Sequence, residues 1–222
     1  PHTQDADDVA AARQATFSAR IGAHSPVFTH QAFLDPILLG RYPDESFFSA
    51  AAFDPEDFAL IRQPIDFIGL NCYNGIEVAA TKSGPAVVPP HEGYPRTALK
   101  WPITPKILHY GPLWVCERYR LPVYITENGL SCNDLIYMDG TVRDGDRIDF
   151  LSRYLHELGK ACADGADVRG YFHWSLTDNF EWQSGYEERF GLIYIDYPTQ
   201  RRIPKYSAFW YAEVARSNGA SL

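Results

Sequence analysis

The sequence predicts an α/β fold built on a parallel sheet. Three apolar runs, at 65–73, 121–126 and 168–176, are compact and rich in residues typical of strands buried on both faces. Segments with helical character, 104–119 and 144–165, alternate with these runs. Strands separated by helices are joined by right-handed crossovers, which place the strands parallel to one another in one sheet.

The remaining segments are predicted from local signals. Residues 7–21 have a weak helical pattern with an acidic first turn, and 33–40 read as a helix that stops at a glycine. Residues 82–95 contain four prolines and two glycines and are predicted to form a loop. Gly111-Pro112 is expected to kink or split its helix, and 191–197 is a shorter, fourth strand candidate.

Composition excludes several classes of protein. The chain has 222 residues, and its 20 basic and 28 acidic side chains give a net charge of −8, which disfavours a nucleic-acid or polybasic membrane binder. No apolar run reaches the roughly 18–20 residues of a membrane span, and the polar start resembles no signal peptide, so we expect a cytoplasmic location. The four cysteines lack metal-ligand spacing and are expected to be free thiols, and we expect no metal or cofactor.

Polar side chains follow the predicted strands. Glu127 ends one apolar run and precedes an Asn-Gly turn signal, so its carboxylate is placed at a strand end, where it could be catalytic or merely cap the turn. Asn71 and Tyr73 end another run and point to the same side of it. A tyrosine hydroxyl that donates to a carboxylate would hold that carboxylate ionised and oriented.

A third cluster combines aromatic and acidic residues. Between Trp174 and Trp182 lie Asp178, Asn179 and Glu181. Sugars bind to this mixture of groups, because their C–H faces stack on aromatic rings and their hydroxyls bond to carboxylates and indole N–H groups. Aromatic packing with solvated acids between the rings is the alternative.

Five motifs, in this order along the chain, resemble those of glycoside hydrolase family 1, the retaining β-glucosidases and their relatives. The motifs are Ile65–Tyr73, Ile125–Gly129, Trp174–Trp182, Glu188–Gly191 and Arg202–Tyr211. The resemblance extends over essentially the whole chain. The resemblance implies a (β/α)₈ TIM barrel. It further implies that residues 1–222, with no internal domain boundary, are the C-terminal half of that barrel and supply roughly strands five to eight with their helices.

The resemblance also implies catalytic roles. Glu127 matches the nucleophile, which forms a covalent glycosyl-enzyme intermediate in a double displacement. Tyr73 matches the tyrosine that hydrogen-bonds to the nucleophile and orients it, and Asn71 matches an asparagine that faces the 2-hydroxyl region of the sugar.

The substrate-binding residues follow in the same way. Trp174 matches the stacking platform for the glycone, Glu181 and Trp182 match side chains that bind its outer hydroxyls, and Phe190 matches the wall of that subsite. Trp101 resembles a tryptophan that lines the aglycone side. An acid at position 181 would repel a 6-phosphate, which favours plain β-glucosides or β-galactosides, and the choice between these two stays open.

One departure from the family pattern concerns the acid/base glutamate, which the family carries in an Asn-Glu-Pro motif. None of the six asparagines of this chain is followed by glutamate. We therefore expect the acid/base to lie outside the chain and residues 1–222 alone to be weak or inactive in hydrolysis. The expected partners are a β-glycoside and either the missing N-terminal half barrel or a second copy. A non-catalytic carbohydrate-binding half barrel and an inactive fragment are the alternatives.

Overall fold

The computed structural model describes residues 1–18, 30–43 and 56–222. These residues form two compact units. The first comprises the described parts of Pro1–Asp66 together with Ile76–Glu92, and the second comprises Phe67–Gly75 together with Gly93–Leu222.

The described helices and strands, numbered in chain order, are bounded as follows. The helices are α1 (Ala6–Thr16), α2 (His30–Leu39), α3 (Asp57–Ile61), α4 (Ile107–Tyr119), α5 (Gly145–Ala163) and α6 (Tyr206–Arg216). The strands are β1 (Ile68–Asn71), β2 (Glu77–Thr81), β3 (Gly84–Val88), β4 (Val123–Asn128), β5 (Val168–His173), β6 (Ile193–Asp196) and β7 (Arg201–Pro204).

In the first unit, α1 packs on an antiparallel hairpin of β2 and β3. The carboxylate of Asp8 on α1 accepts a hydrogen bond from the backbone N–H of Ala80 on β2 at 2.7 Å, which ties the helix to the hairpin. The predicted helix at 7–21 ends at Thr16, and residues 19–21 lie outside the described part of the chain.

The prediction of a loop at 82–95 is wrong for residues 84–88, which form β3. Pro85 pairs with Ala80 in the hairpin. A proline removes one ladder donor, but a strand paired on only one side needs half of its donors, so the proline is tolerated there.

The second unit contains the predicted parallel sheet. Its strand order is β1-β4-β5, and both pairings are parallel, with Ile68 opposite Val123 and Val123 opposite Val168. Helices α4 and α5 connect these strands and pack against each other, and α6 packs on α5. The three central strand predictions and their parallel arrangement are confirmed.

Helix α4 continues through Pro112, so the proline does not split it. A proline within a helix costs roughly 3 kcal/mol because it removes one hydrogen bond and crowds the preceding turn. Nine residues of α4 are buried, among them Leu108, Leu113 and Trp114, and their burial offsets that cost.

The fourth predicted strand does not join the parallel sheet. Residues 193–196 form β6, which pairs antiparallel with β7 in a separate two-stranded sheet. The described part of the chain therefore contributes three parallel strands where we expected four. A run of four apolar residues indicates a strand but carries no information about the direction of its partner.

The two faces of the parallel sheet differ in exposure. Ile68, Val123 and Ile125 are buried, whereas the alternate positions Thr126 and Phe172 on the opposite face are exposed. We call this second side the open face of the sheet. Among the described residues, no helix has both the length and the apolar character needed to cross a membrane.

Gly129 allows the ends of β4 and β5 to come together. A Cβ atom at this position would lie 1.9 Å from the carbonyl oxygen of Trp174, far inside van der Waals contact. Only glycine fits, because the opposing atom is backbone and cannot rotate away.

We predict that Gly129→Ala lowers the free energy of unfolding by about 3 kcal/mol, since the two strand ends must separate. Gly159→Ala is the matched control: this glycine lies within α5 with open space around its Cβ position, and alanine there is expected to stabilise by about 0.5–1 kcal/mol. Urea unfolding followed by tryptophan fluorescence measures both. Equal stability of the two variants would contradict the close approach at Gly129.

Candidate active site

The three parallel strands end at the same edge of the sheet. Asn71 of β1 lies opposite Glu127 of β4, and Asn128 lies opposite His173 of β5. The pairing continues beyond β5, because the backbone N–H of Trp174 donates to the carbonyl of Asn128 at 2.8 Å. The polar and aromatic side chains that follow these strands are therefore brought to one edge.

A hydrogen bond joins Glu127 to Tyr73 across this edge. The hydroxyl of Tyr73 donates to Oε2 of Glu127 at 2.7 Å. Burial, followed by this hydrogen bond and the negative charge of Glu127, raises the pKa of Tyr73 far above its usual value, and the carboxylate of Glu181 adds to the effect. Tyr73 therefore stays protonated and acts as a donor to the carboxylate.

A buried tyrosine of α5 binds the backbone of Tyr73. The hydroxyl of Tyr154 donates to the carbonyl of Tyr73 at 3.1 Å and accepts from the backbone N–H of Thr104 at 2.8 Å. Tyr154 is fully buried. A residue of α5 thus supports the backbone that carries the hydroxyl donor at the Glu127 carboxylate.

The residue after Glu127 links all three strands. The amide of Asn128, fully buried, donates to the carbonyl of Cys72 at 2.7 Å, and its oxygen accepts from the hydroxyl of Tyr171 on β5 at 2.7 Å. Both partners together determine the orientation of the amide. The strand that carries Glu127 is consequently bound to its two neighbours at the level of the carboxylate.

Aromatic rings surround the Glu127–Tyr73 pair. The ring centroid of Tyr73 lies 5.2 Å from that of Trp101 and 6.3 Å from that of Phe190, and the Trp101 and Phe190 rings lie 6.2 Å apart. Edge-to-face contacts at such distances are favourable. Residues predicted from separate motifs are thus brought into one cluster.

Trp174 and Glu181 form a second pair. The indole N–H of Trp174 donates to Oε2 of Glu181 at 3.3 Å. The peptide bond between Trp174 and Ser175 is cis. Ser175 donates its backbone N–H to the carbonyl of Phe190 at 3.2 Å, so the segments that carry Trp174 and Phe190 lie side by side.

An open groove lies beside this pair. It has a volume of about 660 Å³ and is lined by residues of two segments: Leu99, Trp101, Phe180, Glu181, Trp182, Gln183 and Ser184. Trp182 is 80% exposed and stands in a short 3₁₀ turn next to Glu181. The groove is mixed in character, with aromatic rings and polar groups on its walls, as is typical of sugar-binding surfaces.

Asn71, at the end of β1, is an exposed predicted site residue. Its side-chain oxygen accepts a hydrogen bond from the hydroxyl of Thr126 at 2.7 Å on the open face of the sheet. Its place at the end of β1, opposite Glu127, leaves it at the same edge as the carboxylate.

Two other titratable groups near the site are neutral. Burial raises the pKa of the Cys72 thiol to about 12, although this residue lies between Asn71 and Tyr73. Burial and the nearby charge of Arg147 lower the pKa of His173 to about 3. Neither group can act as an ionised nucleophile or a charged acid at neutral pH.

The structure contains a cluster of buried charged residues near the site that local sequence patterns do not reveal. Three acids and three bases form a cluster, which we call the ion cluster: Asp134, Asp144, Arg147, Asp178, Arg189 and Lys205. Five of these side chains are at most 3% exposed and Arg189 is 15% exposed. Burial and the charge of Arg147 lower the pKa of Lys205, while the carboxylates of Asp134 and Asp178 oppose this effect.

The ion cluster revises the role of Asp178. The sequence pattern places this residue among the acids available to sugar hydroxyls, but its side chain is fully buried against Lys205 and Arg189. Its partners lie 11 and 27 residues away along the chain, so no local pattern could reveal them.

Comparisons with known proteins agree with these features. The family model for glycosyl hydrolase family 1 matches residues 14–220. Beta-glucosidase A of Thermotoga maritima is 43% identical over 203 residues, which cover 86% of this chain and 46% of that protein. A bifunctional β-D-glucosidase/β-D-fucosidase of Bifidobacterium breve is 40% identical, over 86% of this chain and 47% of that protein.

Solved structures show the same relationship. A family 1 β-glucosidase from Thermotoga maritima superposes with a TM-score of 0.78 at 37% identity, covering 99% of this chain and 48% of that chain. The chain spans about half the length of the curated relatives it matches. The solved relatives are TIM barrels, so the fold predicted from the sequence is confirmed at the level of about half of such a barrel. The chain belongs to glycosyl hydrolase family 1.

Proposed function

We propose that this chain supplies the nucleophile side of an active site that hydrolyses β-D-glycosides with retention of configuration. Glu127 is the nucleophile. The observation that carries the proposal is the 2.7 Å hydrogen bond from Tyr73, which holds one oxygen of the Glu127 carboxylate and leaves the other oxygen to react.

In the first step, the carboxylate of Glu127 attacks the anomeric carbon of the sugar. A bond forms between that carbon and a glutamate oxygen, and the bond to the leaving-group oxygen breaks as that oxygen takes a proton from a general acid. In the second step, water attacks the anomeric carbon and gives a proton to the same residue, now a base, which releases Glu127. Two inversions give net retention.

The roles of the other residues follow their positions around the pair. Trp174 provides a face on which the sugar stacks, and Glu181 and Trp182 bind the outer hydroxyls of the sugar from the edge of the groove. Phe190 forms the wall of this subsite, Trp101 lies on the aglycone side, and Asn71 reaches the 2-hydroxyl region from the end of β1.

The substrate class is a plain β-glucoside or β-galactoside. Relatives of this chain are named as β-glucosidases and as a β-D-glucosidase/β-D-fucosidase. Solved Thermotoga maritima structures contain glucoimidazole and galacto-hydroximolactam, sugar analogues of two configurations. The carboxylate of Glu181 would repel a phosphate on the sugar, which supports an unphosphorylated substrate.

The acid/base of the reaction lies outside residues 1–222 in this proposal. The sequence contains no Asn-Glu-Pro motif. Among the described residues, β1 and β5 are the outer strands of the parallel sheet, and Phe67 and Phe172 are at least half exposed. An N-terminal half barrel of family 1 would pair with these strands, cover the open face and carry the acid/base; a second copy of the chain would cover the strands without supplying it.

Two further parts of the proposal concern organisation and location. All 222 residues belong to one barrel domain, which the family match over residues 14–220 supports. A cytoplasmic location is supported by the four free cysteines at positions 72, 116, 132 and 162, since free thiols persist in reducing compartments.

We predict that the 222-residue chain reacts with 2,4-dinitrophenyl 2-deoxy-2-fluoro-β-D-glucoside to give one covalent adduct on Glu127. Dinitrophenolate leaves without protonation, so the first step needs no acid, and the 2-fluoro group slows release of the sugar from the intermediate. Mass spectrometry of the intact chain and of its peptides locates the adduct.

Glu127→Gln is expected to form no adduct, and the exposed Glu187→Gln is the matched control that reacts like the parent chain. An adduct on another residue would overturn the assignment of Glu127. Quenching of tryptophan fluorescence by glucose without any adduct would favour the second candidate function, a non-catalytic carbohydrate-binding half barrel, which the absent Asn-Glu-Pro motif makes possible.

A second prediction concerns the leaving group. Because general-acid help is worth about 10²–10⁴-fold, the chain alone should hydrolyse cellobiose slower than an intact family 1 enzyme by at least that factor. The first step with 2,4-dinitrophenyl β-D-glucoside should be slowed less, because its leaving group needs no protonation. Azide should accelerate the turnover of this substrate, because the anion attacks the intermediate without a general base. Release of glucose and dinitrophenolate measures both.

The partner is tested in the same assay. A family 1 segment that carries an Asn-Glu-Pro motif, added as a separate chain, is expected to restore hydrolysis of cellobiose, and the same segment with glutamine in the motif is the control. Cellobiose hydrolysis by residues 1–222 alone at the rate of an intact enzyme would contradict an external acid/base.

A further inference from the structure

The ion cluster binds the segments that carry the sugar-binding residues. Asp178 lies between Trp174 and Glu181 in the sequence, and its two oxygens accept four hydrogen bonds. Oδ1 accepts from Nζ of Lys205 at 2.8 Å and from the backbone N–H of Gly191 at 2.9 Å. Oδ2 accepts from the guanidinium of Arg189 at 2.8 Å and from the backbone N–H of Ile195 at 3.3 Å.

These contacts hold Phe190 from both sides. The residue before it, Arg189, and the residue after it, Gly191, are both bound by the same carboxylate. A Cβ at Gly191 would lie 2.2 Å from the backbone nitrogen of Asp178, so the two segments touch at backbone distance. Phe190 in turn contacts the rings of Tyr73 and Trp101 at the nucleophile.

The side chain of Arg189 has little freedom of its own. Its guanidinium carbon lies 4.1 Å from the ring centroid of Tyr194 and 4.5 Å from that of Tyr197, and it donates to the carbonyl of Ile195 at 2.7 Å. The carbonyl of Arg189 accepts from Arg147, at 2.6 Å. The backbone next to Phe190 is therefore held through both the side chain and the carbonyl group of Arg189.

Stability alone does not account for this arrangement. A buried ion pair is weak evidence for stability, because the cost of removing charges from water offsets much of their attraction, and apolar residues of similar volume often serve as well. Apolar residues cannot bind backbone N–H groups, whereas the carboxylate of Asp178 binds two of them, at Gly191 and Ile195.

We infer that Asp178 and Lys205 are positioning residues for sugar recognition. They hold the Phe190 segment against the segment of Trp174 and Glu181. The three sugar-binding side chains therefore keep their positions relative to Glu127. This inference rests on the proposed function and adds to it residues that contact no sugar. Lys205 acts at the second point of attachment, because it bridges Asp178 and Asp134.

The test compares Asp178→Asn with Val214→Ala in the 222-residue chain. Val214 is a buried apolar residue of α6 outside the ion cluster, so its truncation lowers stability and leaves the contacts of Asp178 in place. Dissociation constants for glucoimidazole are measured by tryptophan fluorescence, and Tm by thermal unfolding. We expect Asp178→Asn to weaken binding at least tenfold and Val214→Ala to lower Tm with affinity unchanged within twofold.

Lys205 provides a second pair of variants. Lys205→Met removes the charge with similar volume and is expected to weaken binding, whereas Lys205→Arg keeps the charge and is expected to retain binding. Equal losses of affinity in Asp178→Asn and Val214→Ala, or a loss of Tm in Asp178→Asn without a loss of affinity, would overturn the inference. If Asp178→Asn does not fold, the Lys205 pair decides by the same criterion.

Hydrogen exchange separates this inference from the proposed function. Without any sugar, Asp178→Asn is expected to speed exchange in peptides that span 174–195, and Val214→Ala is expected to leave their exchange unchanged. If the parent chain binds no glucoimidazole, the proposed function fails, and the exchange rates alone decide whether Asp178 positions these segments. Unchanged exchange in Asp178→Asn would refute that role.

Discussion

The parallel register of β1, β4 and β5 is the constraint on which the site depends. Because Asn71 lies opposite Glu127, and Asn128 opposite His173, the side chains that follow three separate strands emerge at one edge. The register is secured at that edge by the amide of Asn128, which bonds to both neighbouring strands, and by the absence of a side chain at Gly129. A shift of one residue in either pairing would turn Glu127 away from Tyr73.

Two kinds of interaction have different roles at this edge: a neutral hydrogen-bond donor at the carboxylate, and buried ion pairs that bind backbone groups. The neutral hydroxyl of Tyr73 is aimed directly at the Glu127 carboxylate, where charge changes during the proposed reaction. The buried charges of the ion cluster bind backbone groups of the segment around Phe190. A hydroxyl donor is suited to stabilising a reacting carboxylate. A balanced set of buried charges is suited to binding the backbone of loops that would otherwise be free to move.

Much of this could be predicted from sequence, and the failures have physical causes. The runs around Leu70, Ile125 and Tyr171 are apolar on the buried face of the sheet, and Phe172 extends the apolar pattern to the open face, so the strands were visible in the sequence. The β2–β3 hairpin was hidden by Pro85, which an edge strand tolerates. The environment of Asp178 was hidden because Lys205 and Arg189 approach it only in the folded chain, and local spacing contains no information about such partners.

The central claim is that Tyr73 prepares Glu127 to form a covalent bond with the sugar. The rate at which the fluoroglucoside labels Tyr73→Phe, compared with Tyr124→Phe as a control from the strand of Glu127, tests it most directly. Loss of a hydrogen bond to a charged group costs about 1.5–3 kcal/mol, so labelling of Tyr73→Phe should be about 10- to 100-fold slower, with Tyr124→Phe unchanged. Equal labelling rates in the two variants would contradict the account.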